Sequence, residues 1–483
     1  MDNQTIMQFF EWYLPSPCPL WKQVKSDARK LKNVGITALW LPPAYKGAGG
    51  ENDTGYGVYD LYDLGEFDQK GSVATKYGTK LEYIAAIHAL HNNGIKAYAD
   101  IVLNHKFGAD ETEEVLASQE SFTNRNNSVE ITNNIVPILA WTKYNFPGRG
   151  NKYSDFKWNW THFHGVDWDD REKTNSIFKF YGKRWDEDVD KENGNFDYLM
   201  GADIDLNNID VVHELISWGK WYTSTTDIDG YRLDAVKHIR SSFYLNWLKA
   251  MRDNSQKPLF AVGEYWNTNV GILKKYLEET EWSMYLFDAP LHYNFYDASI
   301  SGGDYDMSKI LDNTLVKEEP MKAVTFVDNH DTEPGQSLFS WVQDWFKPLA
   351  YAIILLREQG IPCVFYGDYY GIPQEKISPK SEILDKLLLL RKDKAYGTQH
   401  DYFDAKNIVG WTREGDSNHE GSGIAVLLSD FEQGQKQMYV GKQFAGHTFI
   451  DSLGNRYEKV VIDEEGNGTF FVNGGSVSVW VEE

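Results

Sequence analysis

Eight short apolar runs, rich in β-forming residues, constrain the fold of this 483-residue chain more than any other feature. They lie near Ile6–Phe10, Ile36–Leu41, Ile95–Leu103, Ile228–Leu233, Leu259–Gly263, Met284–Phe287, Ala323–Val327 and Pro362–Phe365. Amphipathic stretches such as Leu81–His91, Val211–Tyr222 and Leu349–Gln359 separate many of them. Strands that are apolar on both faces and alternate with helices imply a parallel α/β sheet, and eight of them predict a (β/α)₈ TIM barrel. The spacing breaks after the third run. Residues 104–206 are far too many for one strand-to-helix loop, so they are read as an inserted domain at the barrel mouth. Beyond residue 395 the pattern changes to alternating runs around Gly and Asn turns: Ile408–Thr412, Gly423–Leu428, Thr448–Ile450 and Ser476–Val481. That predicts a C-terminal antiparallel β-sandwich domain. The expected division is residues 1–103 and 207–395 for the barrel, 104–206 for the insertion and 396–483 for the β-domain.

A formal charge of −23 argues against a nucleic-acid partner, which needs clustered Lys and Arg. No apolar stretch approaches the length of a membrane span, so no membrane partner is expected. The start Met1-Asp2-Asn3-Gln4-Thr5 carries no export signal, and Cys18 and Cys363 form no disulfide framework. Both point to the cytoplasm. The two thiols lie outside the polar motifs and read as packing groups. Nothing demands more than a monomer. Aromatic residues make up 15% of the chain, enough either to stack on sugar rings or to fill a large core. Trp411 and Trp480 occur singly along the C-terminal strands and read as core.

In such a barrel the active site lies at the C-terminal ends of the strands. The third run leads into Asp100-Ile101-Val102-Leu103-Asn104-His105, and the fourth into Gly230-Tyr231-Arg232-Leu233-Asp234-Ala235-Val236-Lys237-His238. The fifth ends Gly263-Glu264-Tyr265-Trp266, the seventh Val327-Asp328-Asn329-His330-Asp331. If residues 228–233 are a strand, Arg232 and Asp234 face the same way, and the guanidinium would keep the carboxylate ionised. Glu264 follows an apolar strand between bulky neighbours, where desolvation favours the protonated form. One ionised and one protonated carboxyl are what glycoside hydrolysis requires.

These four segments resemble the signature regions of the α-amylase clan of glycoside hydrolases. Met7-Gln8-Phe9-Phe10-Glu11-Trp12-Tyr13, Trp40-Leu41-Pro42-Pro43-Ala44-Tyr45-Lys46-Gly47 and Tyr62-Asp63-Leu64-Gly65-Glu66-Phe67 are similar to bacterial liquefying α-amylases, with the missing signal closest to cytoplasmic members. The resemblance implies Asp234 as nucleophile, Glu264 as acid/base and Asp331 as transition-state stabiliser. It implies sugar binding by Tyr56, His105, Arg232, Trp266 and His330, with Lys237 and His238 toward the leaving group. The implied reaction is retaining endo-hydrolysis of α-1,4-glucosidic bonds in starch, glycogen or maltodextrins, through a covalent glycosyl-enzyme. A debranching enzyme, a transglycosylase and a non-catalytic carbohydrate-binding protein remain open alternatives, because the first two share all three carboxylates.

The resemblance also implies calcium, held by Asn104, Asp197, Asp203 and the backbone oxygen of His238. A second cluster keeps Asp186 and Asp205, but His164 and Asn207 replace expected acids, so it is expected to be empty or weak. At a third position Lys406 and Asn407 stand where the family has a His-Asp pair, and the Lys406 ammonium opposes a cation, so no calcium is expected there. The acidic run Asp186–Asp190 is followed by Lys191 where a calcium-binding loop would need glycine, and it reads as a solvated face with one ligand at its edge. No Cys/His cluster has zinc spacing.

Overall fold

The computed structural model describes residues 3–125 and 135–483. Eight strands close into a parallel barrel: Ile6–Gln8, Ala38–Leu41, Lys96–Ile101, Gly230–Leu233, Phe260–Gly263, Tyr285–Phe287, Ala323–Phe326 and Ile361–Phe365. Each coincides with one of the expected apolar runs. Around the ring each strand pairs with its neighbours in sequence, and the first pairs with the eighth. Burial from both sides is the reason these strands are apolar throughout: helices such as Leu20–Val34, Lys80–Asn92 and Ile209–Thr226 cover the outside, while Trp40, Arg232 and Phe326 are buried with the strands.

The first, third and seventh strands stop earlier than their apolar runs. The third ends at Ile101 because the chain turns at the rim, and His105–Lys106 then pairs antiparallel with Ala202–Ile204. That pairing opens a second, six-stranded sheet, continued by Phe163–Asp169, Thr174–Phe180, Glu111–Glu120 and Val136–Lys143. The insertion is therefore hydrogen-bonded directly to the continuation of a barrel strand. The helix expected over Leu349–Gln359 runs instead over Lys347–Leu356. Arg357 leaves the helix with extended backbone and forms a two-pronged ion pair with Asp401, from the C-terminal part of the chain.

The C-terminal part is antiparallel, with one six-stranded sheet and one two-stranded sheet. Its core includes Leu427, Met438, Phe449, Phe470 and Trp480. Trp411 is also buried, and its indole N–H donates to Leu356 O of the barrel at 3.3 Å. Both tryptophans are core, as expected. Cys18 and Cys363 are buried free thiols, and burial pushes them up to about 11 and about 12.

Asp328, just past the seventh strand, is held from behind by an ammonium buried in the barrel wall. Lys347 Nζ lies 2.8 Å from Asp328 Oδ2 and also pairs with Asp368, all three side chains being fully buried. Removing one partner of such a group leaves uncompensated buried charge. Lys347→Met should lower stability by about 3–5 kcal/mol, read from the denaturant midpoint; an unchanged midpoint would show that the two carboxyl groups do not depend on it.

Candidate active site

A cleft of about 750 Å³ opens at the C-terminal rim, lined by Asp234, Glu264 and Asp331 together with Tyr56, His105, Lys237, His238, Trp266 and His330. Every cleft residue expected from sequence lines it, except Arg232. Arg232 is fully buried beneath the floor and touches three carboxylates. Its Nη1 lies 2.9 Å from Asp100 Oδ1 and 2.6 Å from Asp234 Oδ1, and its Nη2 lies 2.8 Å from Glu264 Oε2. Barrel register produces this arrangement, because Arg232 pairs with Asp100 on one side and Val262 on the other. Arg232 thus holds three carboxyl groups at the base of the cleft.

The chain leaves the fourth strand through Ala235, whose φ of 46° is unusual for a residue with a side chain. This turn lets Asp234 N–H donate to Ile101 O at 2.9 Å and aims Ala235 N–H at Glu264 Oε2, 3.1 Å away. Backbone strain of this kind persists where the surroundings enforce it.

Burial is the largest influence on all the site carboxyls. It pushes Glu264 up to about 8; Arg232 opposes the rise, while Asp234 and Asp331 add to it. Asp331 is pushed up to about 7 by burial, with Arg232 opposing. Asp234 is also raised by burial, but the Arg232 guanidinium lowers it through charge and a direct hydrogen bond. The result is a cluster of buried carboxyls sharing one buried cation, all raised by burial and opposed by the same guanidinium.

The aromatic wall is fastened to the same cluster. Tyr56 Oη donates to Asp100 Oδ2 at 2.7 Å, and Trp40 Nε1 donates to the same oxygen at 2.9 Å. The Tyr56 ring stacks on His330 with 5.1 Å between centroids, and Trp12 lies parallel to both. Gln8 Nε2 is 3.1 Å from His330 Nδ1, which must therefore accept; the ring proton sits on Nε2, 3.3 Å from Asp331. His105 commits Nε2 to Tyr56 O at 2.9 Å and Nδ1 to the Asn104 amide at 3.4 Å, so it braces the Tyr56 wall. Sequence reasoning passed over Trp12, Glu192, Tyr293 and Gln336, which also line the cleft. Trp12 had a signal in the Met7–Tyr13 segment, whereas Glu192 and Gln336 come from loops and Tyr293 from the helix Ala289–Ile300, none with a motif.

Behind the cleft, His164, Asp197 and Asp203 offer ligand atoms within 4.8 Å of one another, so a metal ion could sit among them. Burial raises Asp197 well above the carboxylate range, with repulsion from Asp203 next, and raises Asp203 to about 6. Nearby, Asn195 Oδ1 is buried with no donor among the described residues. These groups form an oxygen cage that His164 already compensates in part: its Nδ1 lies 2.8 Å from Asp203 and 3.4 Å from Asp197, and these carboxylates hold its pKa well above the usual imidazole value against burial. The neighbouring pair, Asp186 and Asp205, does not fit a further cation, because protein groups occupy its oxygens. His164 Nε2 lies 2.9 Å and Lys183 Nζ 2.5 Å from Asp205, and the Asn207 amide donates to Asp186 Oδ1 at 2.6 Å. The acidic run is only partly the expected solvated face. Glu187 and Asp188 are exposed, but Asp190 is buried because it accepts from the Tyr265 hydroxyl at 2.6 Å. At the third position the Asn407 amide donates to Gly303 O and Asp430 Oδ1, at 2.7 and 2.9 Å.

Residues 21–419 match the family model described as alpha amylase, catalytic domain, and residues 425–481 match the alpha-amylase C-terminal model. The chain is 59% identical over 481 residues to an α-amylase of Geobacillus stearothermophilus, covering 99% of this chain and 87% of that protein. It is 45% identical to the cytoplasmic α-amylase of Escherichia coli (strain K12), covering 100% of this chain and 99% of that protein. Among solved structures, an Anoxybacillus α-amylase has the same fold, with a TM-score of 0.65, 18% identity and coverage of 100% and 97%.

The raised Glu264 carboxyl has a consequence for stability. Its pKa rises from 4.5 to about 8 on folding, so its contribution is fully present below about pH 4.5 and is lost as pH climbs through 8. Glu264→Gln cannot ionise. The variant should therefore gain stability relative to the parent between pH 5 and pH 9, by on the order of 1–3 kcal/mol. Melting curves across that range test this; a stability difference that does not change with pH would contradict it.

Proposed function

The chain belongs to the α-amylase family of glycoside hydrolases, and from that premise we propose how its cleft performs endo-hydrolysis of α-1,4-glucosidic bonds with retention. Asp234 attacks the anomeric carbon while Glu264 donates its proton to the departing glycosidic oxygen, leaving a glycosyl ester on Asp234. The observation that carries these roles is two carboxyls on one guanidinium: Arg232 lies 2.6 Å from Asp234 and 2.8 Å from Glu264, yet burial and the neighbouring acids still push Glu264 up to about 8. Once Asp234 becomes an ester its charge is gone, and with it one cause of the high Glu264 pKa. Glu264, having given up its proton, then stays ionised more readily and is available as the base for the water that cleaves the ester.

Asp331 and the Nε2–H of His330 would hold sugar hydroxyls as the ring flattens toward an oxocarbenium-like state. The Tyr56–His330 stack would lie against the sugar in the cleaved subsite. Trp266 would contact the sugar from the opposite wall, and Lys237 and His238 would meet the leaving-group side. Arg232 supports substrate indirectly, through the carboxylates it holds. The substrate is an α-glucan such as starch, glycogen or a maltodextrin, and the enzyme acts as a monomer. No helix among the described residues is long and apolar enough to cross a membrane. A cytoplasmic setting is part of this reading, supported by the 45% identity with the E. coli cytoplasmic enzyme and by two thiols buried unpaired.

The same reading assigns calcium to Asn104, Asp197, Asp203 and the backbone oxygen of His238. Asn104 and His238 flank the cleft, whereas Asp197 and Asp203 belong to the insertion, so a cation there would tie the two together and neutralise the buried carboxylates.

Two experiments test this. Proton NMR of fresh products from soluble amylose should show α-anomeric oligosaccharides of mixed length, and Asp234→Asn should abolish nearly all turnover; initial β-anomers would overturn the double displacement. Chelation should lower the melting temperature, and this shift should shrink in Asp203→Asn. An equal shift in both proteins after verified metal removal would place the calcium elsewhere.

A further inference from the structure

We propose that Glu333 is a positioning residue for the sugar-binding wall, tying the segment after the first barrel strand to the loop after the seventh and so fixing Trp12 relative to Asp331. This rests on the cleft being the glucan site and adds a residue that its chemistry does not touch. Glu333 is fully buried, and Glu11 nearly so. Glu333 Oε1 accepts from Trp12 N–H at 2.8 Å, while Glu11 Oε2 accepts from Tyr13 N–H at 2.5 Å. The Tyr13 hydroxyl donates to Pro334 O at 2.6 Å and accepts from Gln336 Nε2 at 3.0 Å. Residues 12–13 and 333–336 are thus joined at several points, with the eighth strand between their parent strands. Trp12 and Gln336 reach the cleft from this joint, as does Asp331, two residues before Glu333.

The chemistry of the joint requires a neutral Glu333. No cation pairs with it among the described residues, and its Oε2 is buried with no donor. The charged groups that face it are Glu11 from the first-strand segment and Asp331 and Asp328 from its own loop, all acidic. Lys76, from the loop before the second helix, acts on Glu11. Burial, reinforced by Glu11, pushes Glu333 up to about 9, and burial pushes Glu11 up to about 7. A neutral carboxyl still presents a carbonyl oxygen to Trp12 N–H. An ionised one would sit unpaired among like charges, and the joint would open.

A glutamine keeps that carbonyl and cannot ionise, so an alanine and a glutamine variant together separate position from charge. Glu333→Ala should raise KM for maltohexaose roughly 5–30-fold, the effect of losing one buried hydrogen bond and its alignment, with a smaller change in kcat. Glu333→Gln should restore KM at pH 6–7 and hold it at pH 9, where the parent's KM should rise. Near-ultraviolet circular dichroism checks that each variant is folded. An unchanged KM in Glu333→Ala would overturn the proposal. So would Glu333→Gln, folded, matching the alanine variant at pH 6–7, or a parent KM that stays flat to pH 9. Failure of the parent itself to cleave maltohexaose would instead refute the glucan reading of the cleft.

Discussion

The site depends on one guanidinium. Arg232 is a fixed, always-charged fork, buried in a barrel wall with a carboxylate on each neighbouring strand and another two residues along its own. Four buried acids, Asp100, Asp234, Glu264 and Asp331, feel its charge. One positive charge cannot neutralise all of them. The shortfall decides which groups stay protonated, and this difference between chemically similar side chains is what acid/base catalysis uses. A lysine could supply the charge but not two separated prongs, so Asp234 and Glu264 would no longer be held by a single rigid group.

The barrel was legible in the sequence because its strands are buried on both faces and must be apolar throughout. The insertion was legible from length alone, and the Trp411 and Trp480 core from isolated aromatics in alternating strands. The Arg232–Asp234 pair followed from the two-residue period of a strand. What period cannot reveal is the neighbour across the ladder, so Asp100 and Glu264 as partners of Arg232 emerged only with register. The same limit hid the joint between residues 12–13 and 333–336, which are over three hundred positions apart. His105 shows another gap: a motif identifies a residue at the rim, but only the partners of its two ring nitrogens show that it braces Tyr56. Asp190 was misjudged because an acidic run says nothing of a tyrosine hydroxyl arriving from residue 265.

The sheet of the insertion grows out of the rim at His105–Lys106, next to Asn104, and returns through Ala202–Ile204, which contains Asp203. His105 of the cleft wall and Asp203 of the cage are consequently paired across the same two strands. His105 in turn links the Asn104 amide to the Tyr56 carbonyl by hydrogen bonds of its two ring nitrogens.

Beside that cage, Asp205 is met by Lys183 and His164, and Arg240 holds Asn207 against Asp186. An ion in this place would leave and return by mass action, and its contribution would fall as the surrounding solution became poorer in it. Side chains carried on the backbone have no dissociation constant and cannot be diluted away. At Asp186 and Asp205 the balancing groups are therefore part of the chain itself, with His164 shared between this corner and the cage beside it.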